Sequence, residues 1–70
     1  MINEVLYMEI RLVGAFSEKY KLTRSAVNRI FSKYNIWQYI ESCYEVFHLN
    51  GDEYNLDDIS DYLKGKGVVL

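Results

Sequence analysis

The sequence predicts an all-α fold, a compact bundle of three to four helices that begins with a long N-terminal amphipathic helix. Apolar residues recur at helical spacing in successive segments, and residues typical of helix caps and turns separate those segments. With 70 residues, half of them apolar, the chain has a globular composition and a length that suits one hydrophobic core. We therefore expect residues 1–70 to form a single helical domain.

The first helix is predicted over the first twenty residues. At 100° per residue its apolar side chains fall within one broad arc, and the charged side chains cluster opposite. The apolar set is Ile2, Val5, Leu6, Met8, Ile10, Leu12, Val13, Phe16 and Tyr20. An arc this wide predicts neighbours on two sides and a central position in the bundle. Gly14 and Tyr7 fall on the polar side, so Tyr7 is expected to be exposed.

Two further helices are predicted after short connections. Lys21-Leu22 makes a tight connection, and Thr23 is placed to cap a second helix through its hydroxyl group. The inward residues of that helix are Ala26, Val27, Ile30, Phe31 and Tyr34. Asn35 precedes a third helix whose apolar stripe is Ile36, Trp37, Ile40, Cys43, Tyr44 and Phe47. That helix should stop near residues 48–49, because Asn50-Gly51-Asp52 supplies turn residues that tolerate positive φ.

The last helix is predicted to be short. Asn55 is placed to cap it, and Asp57 and Asp58 would lie in its first turn, where the helix dipole favours anions. Its packing residues are Leu56, Ile59, Tyr62 and Leu63. Gly65 is expected to end it. The apolar tail, residues 68–70, then either folds back on the bundle or meets another chain.

A β-hairpin is the alternative for the middle of this region. Residues 44–49 are rich in β-formers, Asn50-Gly51 is a strong hairpin signal, and residues 53–56 would be the second arm. The apolar stripe at helical spacing from Ile36 to Phe47 favours the helix.

Charge is distributed unevenly, although the formal net charge is only −2. Residues 19–33 contain five basic side chains and no acidic one, whereas residues 41–61 contain seven acidic side chains and no lysine or arginine. The basic residues are Lys19, Lys21, Arg24, Arg29 and Lys33, and the acidic residues are Glu41, Glu45, Asp52, Glu53, Asp57, Asp58 and Asp61. Either the two segments attract each other, within the fold or between subunits, or the acidic segment, with Tyr54, binds a protein partner.

The segment from Phe16 to Phe31 resembles the helix-turn-helix of bacterial DNA-binding proteins. An apolar helix end, a short turn, a threonine cap and a helix with polar residues outward match that motif. The side chains that would contact bases or phosphates are Arg24, Ser25, Asn28, Arg29 and Lys33. Against this, Lys21 occupies a turn position where the motif prefers glycine, and a pI near 5.2 gives no general attraction to polyanions. A small DNA-binding regulator is the alternative function.

Few residues of the chain are suited to catalysis or metal binding. Its one histidine, His48, and its one cysteine, Cys43, lie five positions apart, which is about 140° around a helix and unsuited to sharing a metal ion. We interpret His48 and Gly51 as structural residues near a turn and Cys43 as a small core residue. The serines show no pairing with a base. We expect no catalytic residue, no metal site and no cofactor.

The distribution of charge and cysteine predicts the compartment. Charged residues run through the first twenty positions, which argues against a signal peptide and a membrane span. A single cysteine is typical of a reducing environment. We therefore expect a cytoplasmic protein that does not bind membranes.

A wider pattern resembles a family of short bacterial proteins known only as a domain of unknown function. The residues that carry it are Lys33-Tyr34-Asn35-Ile36, Tyr39-Ile40, Cys43-Tyr44, Val46-Phe47-His48, Gly51-Asp52-Glu53, Asp57-Asp58-Ile59 and Tyr62-Leu63. Members are about as long as this chain. The resemblance implies a gene often encoded beside a protein similar to ADP-ribosyltransferases, and it carries over no catalytic residue.

Together these patterns predict a non-enzymatic protein-interaction module, an antitoxin-like or accessory partner of a neighbouring effector. An ADP-ribosyltransferase-like effector would present a cationic nucleotide-binding cleft to the acidic segment. A homodimer that buries residues 68–70 and part of the first helix is also open. Nucleic acid is a partner only in the DNA-binding alternative.

Overall fold

The computed structural model describes residues 3–70, and in that range it contains five helices and no strand. They are α1 (Glu4–Tyr20), α2 (Arg24–Lys33), α3 (Ile36–Ser42), α4 (Tyr44–Leu49) and α5 (Asp52–Gly65). The predicted all-α fold with a long N-terminal helix is confirmed. The hairpin alternative is wrong, because both of its arms are helical. Ile2, which the sequence places in the first apolar arc, lies outside the described residues.

The central helix of the bundle is α1, which packs against α2, α3 and α5. Its buried residues are Met8, Leu12, Val13 and Phe16. The side-chain oxygen of Asn3 accepts a hydrogen bond from the Leu6 N–H at 2.7 Å, which satisfies a free donor in the first turn. Neighbours around so much of α1 explain why its apolar arc is broad, and Tyr7 is exposed as predicted.

The connection from α1 to α2 has the tight form that the sequence predicts. Lys21 ends α1 in the left-handed region, at φ 57°, where glycine is the usual residue. The Ser17 hydroxyl donates to the carbonyl oxygen of Leu22. Thr23 Oγ1 then accepts from the Ala26 N–H at 3.1 Å, so the predicted cap of α2 is confirmed.

The predicted third helix is interrupted at Cys43, whose backbone (φ −105°, ψ 16°) leaves helical geometry. Hydrogen bonds of the helical type continue across the break: Cys43 N–H donates to Tyr39 O at 3.0 Å, and Phe47 N–H donates to Cys43 O at 2.9 Å. Ile40 and Phe47, on either side of the break, are both fully buried. The apolar spacing therefore runs unchanged through the break, which divides one predicted helix into α3 and α4.

The prediction for the start of α5 is wrong by four residues, because the predicted N-cap is Asn55 and the observed one is Gly51. Gly51, at φ −78°, is the N-cap residue, so the preceding turn does not use the positive φ that was expected of it. Asp52 and Glu53 lie in the first turn, in place of the predicted Asp57-Asp58. The favourable interaction of acidic residues with the helix N-terminus is kept, with different residues.

Asn55 is not a helix cap. It lies within α5, is fully buried, and donates from Nδ2 to the carbonyl oxygen of Phe47 at 2.9 Å. The side chain therefore satisfies a carbonyl near the end of α4 instead of an N–H of its own helix, which is why its capping preference misplaced the helix start.

An aromatic chain joins three helices in the core. The Phe16 and Phe31 ring centroids are 5.3 Å apart, those of Phe31 and Trp37 are 5.2 Å apart, and both pairs meet edge to face. Phe16 and Phe31 are completely buried. These contacts tie α1, α2 and α3 together, and edge-to-face geometry adds to the gain from burial alone.

The tail after α5 both folds back and remains partly exposed. The Val68 N–H donates to Leu63 O at 3.0 Å, and the Val68 side chain packs against the core. Val69 is almost fully exposed. None of the helices in residues 3–70 is long and apolar enough to cross a membrane.

Candidate interaction surface

The corner between α4 and α5 is braced by two asparagine side chains. Asn50 Nδ2 donates to Val46 O at 2.7 Å, and Asn55 Nδ2 donates to Phe47 O at 2.9 Å. Both carbonyls belong to the last four residues of α4, which have no hydrogen-bond partner inside the helix. The amide groups replace those partners and fix the direction in which the chain leaves α4.

This braced corner displays three large apolar side chains. Val46 is 50% exposed, Leu49 83% and Tyr54 53%. Glu45 and Glu53, which lie next to Val46 and Tyr54 in the chain, are exposed as well. We call these five residues the corner surface. The sequence singled out Tyr54, Glu45 and Glu53 but missed Val46 and Leu49, which are apolar residues that fall outside the inward stripe.

The predicted acidic segment approaches α1 at several separate places. Glu41 lies near Glu9: burial, and then the charge of Glu41, raises the pKa of Glu9. Glu53 and Asp57 approach α1 at Lys19, whose pKa the hydrogen bond to Asp57 raises. Glu9 and Lys19 are ten residues apart, or about 15 Å along the helix. The acidic residues are therefore spread over separate regions of the surface.

Two acidic residues of α5 form ion pairs with α1. Lys19 Nζ lies 2.7 Å from Asp57 Oδ1, and Arg11 Nη2 lies 3.0 Å from Asp52 Oδ1. The Lys19–Asp57 pair joins the basic and acidic segments within the fold, as one of the two charge interpretations expects. Such exposed pairs are screened by solvent and contribute little to stability, so their main effect is to orient α5 against α1.

Asp58 has a partner within the bundle too. It accepts a hydrogen bond from the Tyr39 hydroxyl at 2.8 Å, and the Tyr39 ring stacks on Tyr62 with centroids 4.3 Å apart. Burial, and then this hydrogen bond, raises the pKa of Tyr39 far above its usual value. Glu41, Glu45, Glu53 and Asp61 remain the exposed acidic residues of the segment without a hydrogen bond or ion pair among the described residues.

The polar residues predicted to contact DNA all lie exposed on α2. Arg24 packs against α1: a Cβ atom at Gly14 would lie 3.2 Å from Arg24 Nη2. Lys33 Nζ lies 5.4 Å from the centre of the Tyr34 ring. Ser25, Asn28 and Arg29 are the remaining members. Across residues 3–70 the ion pairs involve Arg11 and Lys19, and none involves α2.

The two residues predicted to be structural have different surroundings. His48 is exposed, and its ring stacks on Tyr44 with centroids 5.5 Å apart. The Tyr44 hydroxyl donates to Glu4 Oε2 at 3.1 Å, which links α4 to the start of α1. Gly51 is the N-cap residue of α5, and its carbonyl accepts the Asn55 N–H at 3.1 Å.

Fold and surface define a small all-α protein with a braced, partly apolar corner. A family model described as a protein of unknown function, DUF3791, matches residues 8–66. The match covers most of the chain, and the chain belongs to that family. This confirms the resemblance to a domain of unknown function. No curated protein and no solved structure matches the chain.

Proposed function

We propose that the chain is a non-enzymatic protein-interaction module that meets its partner at the corner surface. The observation that carries the proposal is the exposure of Val46, Leu49 and Tyr54 on a corner braced by two asparagine side chains. Exposed apolar and aromatic side chains with polar neighbours are typical of protein interfaces. A braced corner also loses little conformational entropy when it binds.

Charge supports a partner whose apolar pocket has a positively charged rim. Glu45 and Glu53 flank the apolar residues along the chain, and Asp61 is exposed further along α5. Such a partner would be steered toward the corner surface by charge. An ADP-ribosyltransferase-like effector with a cationic nucleotide-binding cleft has this chemistry. In this proposal the chain is its antitoxin-like or accessory partner in the bacterial cytoplasm.

Co-expression with the product of the adjacent gene, followed by a pull-down and titration, tests the proposal. Leu49→Ser should weaken the complex about tenfold or more, as truncating a central apolar side chain of an interface does. Val69→Ser is the matched control, because it also shortens an exposed aliphatic residue but lies outside the corner. Equal binding by the two variants would contradict the proposal, and so would a wild-type chain that binds no neighbouring product.

DNA binding is the second candidate. One observation favours it: Thr23 caps α2, and Ser25, Asn28 and Arg29 are exposed along that helix. Arg24, by contrast, packs against Gly14 of α1, which opposes its use as a base contact. A gel shift on the gene's own promoter at about 150 mM salt is a suitable test, because non-specific binding is weak there. Combined Arg24→Ala and Arg29→Ala should abolish any shift and leave the pull-down unchanged.

A further inference from the structure

A second surface is formed by residues between Leu6 and Trp37, and it shares none of them with the corner surface. A cleft of about 370 Å³ is formed where α1, α2 and α3 meet. Leu6, Ile10, Val13 and Trp37 supply its apolar lining, and Leu6 and Ile10 are 43% and 50% exposed. Apolar side chains of this size in a surface cleft are suited to a protein partner.

The cleft carries opposite charges on its two flanks. Glu9 lines it directly, and Arg24 lines it from α2, held against Gly14. Glu9 and Gly14 are separated by about 140° around α1 and about 7.5 Å along it. On the same helix, Leu6 and Ile10 fall between these two directions. The surface therefore has a negative flank, an apolar centre and a positive flank.

Neither charge on the flanks is balanced within the described part of the chain. The ion pairs there are Arg11–Asp52 and Lys19–Asp57. Burial, and then the charge of Glu41, raises the pKa of Glu9, so the surroundings disfavour its ionised form. A cation placed beside Glu9 would reverse this effect.

We propose that this cleft is the interface of a homodimer, in which Glu9 of each copy lies opposite Arg24 of the other. A two-fold interface brings one patch against itself, so the patch must be self-complementary. A two-fold axis that passes midway between Glu9 and Arg24, in the plane of the patch, exchanges their positions. It therefore forms two equivalent ion pairs and buries Leu6 and Ile10 of both copies.

This charge pattern is what selects a second copy as the occupant. Any other partner would need its own pair of opposite charges at matching positions, whereas a second copy supplies them by symmetry. The dimer interface and the corner surface share no residue. Dimerisation can therefore fail without affecting the pull-down, and the pull-down can fail without affecting dimerisation.

Sedimentation velocity on the wild-type chain, from about 5 to about 500 μM, tests the proposal over the range suited to a modest interface. The wild type should be dimeric at the upper end. Glu9→Arg and Arg24→Glu should each weaken dimerisation about tenfold or more, because each places like charges opposite one another. An equimolar mixture of the two variants should form a heterodimer, since one copy then offers two arginines and the other two glutamates.

The double variant Glu9→Arg with Arg24→Glu exchanges the two charges and should dimerise like the wild type. Circular dichroism checks that each variant is folded, and Ile10→Glu replaces either one that is not. Trp37, the chain's one tryptophan, lines the cleft, so its fluorescence should shift with concentration in the wild type and in the double variant but not in either single variant. A monomeric wild type would overturn the proposal, as would charge variants that dimerise unchanged or a mixture that stays monomeric.

Discussion

Replacing Asn55 by aspartate is expected to destabilise the protein by about 3 to 5 kcal/mol at neutral pH, which is the range for an unpaired buried charge. Asn55 is completely buried and donates from Nδ2 to the carbonyl oxygen of Phe47. A carboxylate is nearly the same shape but has no hydrogen to donate, so two oxygen atoms would face each other away from water. Urea denaturation followed by circular dichroism measures the change.

The same substitution should show a characteristic pH dependence. Burial raises the folded-state pKa of the new carboxyl group above its unfolded value of about 3.9. Below about pH 3.9 the group is protonated in both states and can donate to Phe47 O, so the penalty is absent. The penalty grows as the pH rises from about 3.9 to the folded-state pKa and is complete above it. The loss in free energy of unfolding relative to the wild type should therefore be larger at pH 7 than at pH 3.

Asn50→Asp provides the matched control for this experiment. Asn50 makes the same kind of bond, from Nδ2 to the Val46 carbonyl, but it is only partly buried and the bond is exposed. Water can solvate a carboxylate there, so the free energy of unfolding should fall by only about 1 kcal/mol. Equal losses for the two variants would show that burial of Asn55 does not determine the effect.

Phe31→Ala should lower the free energy of unfolding by about 3 to 5 kcal/mol, as truncation of a buried phenylalanine usually does. Phe31 is fully buried and contacts Phe16 and Trp37 edge to face. A chain of 70 residues has a free energy of unfolding of about 4 to 10 kcal/mol. The variant should therefore lose a large part of its stability, and it is at or beyond its unfolding midpoint at ambient temperature if the wild type lies at the lower end of this range.

Thermal denaturation and Trp37 fluorescence together measure this effect. Trp37 contacts Phe31, so its emission should shift to the red in the variant as solvent reaches the ring. Tyr54→Ala is the control, since it removes an aromatic ring of α5 that is half exposed and should change stability by about 0.5 kcal/mol. A Phe31→Ala chain as stable as this control would contradict the proposed importance of the aromatic chain.

Local signals predicted much of this fold. The broad apolar arc predicted the central position of α1. Thr23 predicted the start of α2, because a threonine side chain before an apolar stripe accepts a hydrogen bond from a free N–H of the first turn. These features depend on residues three or four positions apart. Contacts at that range are specified by the chain itself and need no knowledge of the tertiary structure.

The features that sequence reasoning missed depend on tertiary contacts. Cys43 interrupts a helix whose apolar spacing is unchanged, so periodicity cannot reveal the break. Asparagine is a common N-cap residue, but the amide group of Asn55 donates its hydrogen bond to the Phe47 carbonyl. Only the position of α4 in the folded chain shows this. Glu9 and Arg24 line the same cleft only because α2 packs against α1. None of these can be read from neighbours along the chain.

The break at Cys43 leaves two helices of seven and six residues. Isolated helices shorter than about 12 residues are marginal in water, so α3 and α4 are helical because the rest of the bundle holds them. Val46, Leu49 and Tyr54 therefore form a conformational epitope that exists only in the folded chain. A synthetic peptide of residues 44–54 would contain every side chain of the corner and still lack its shape.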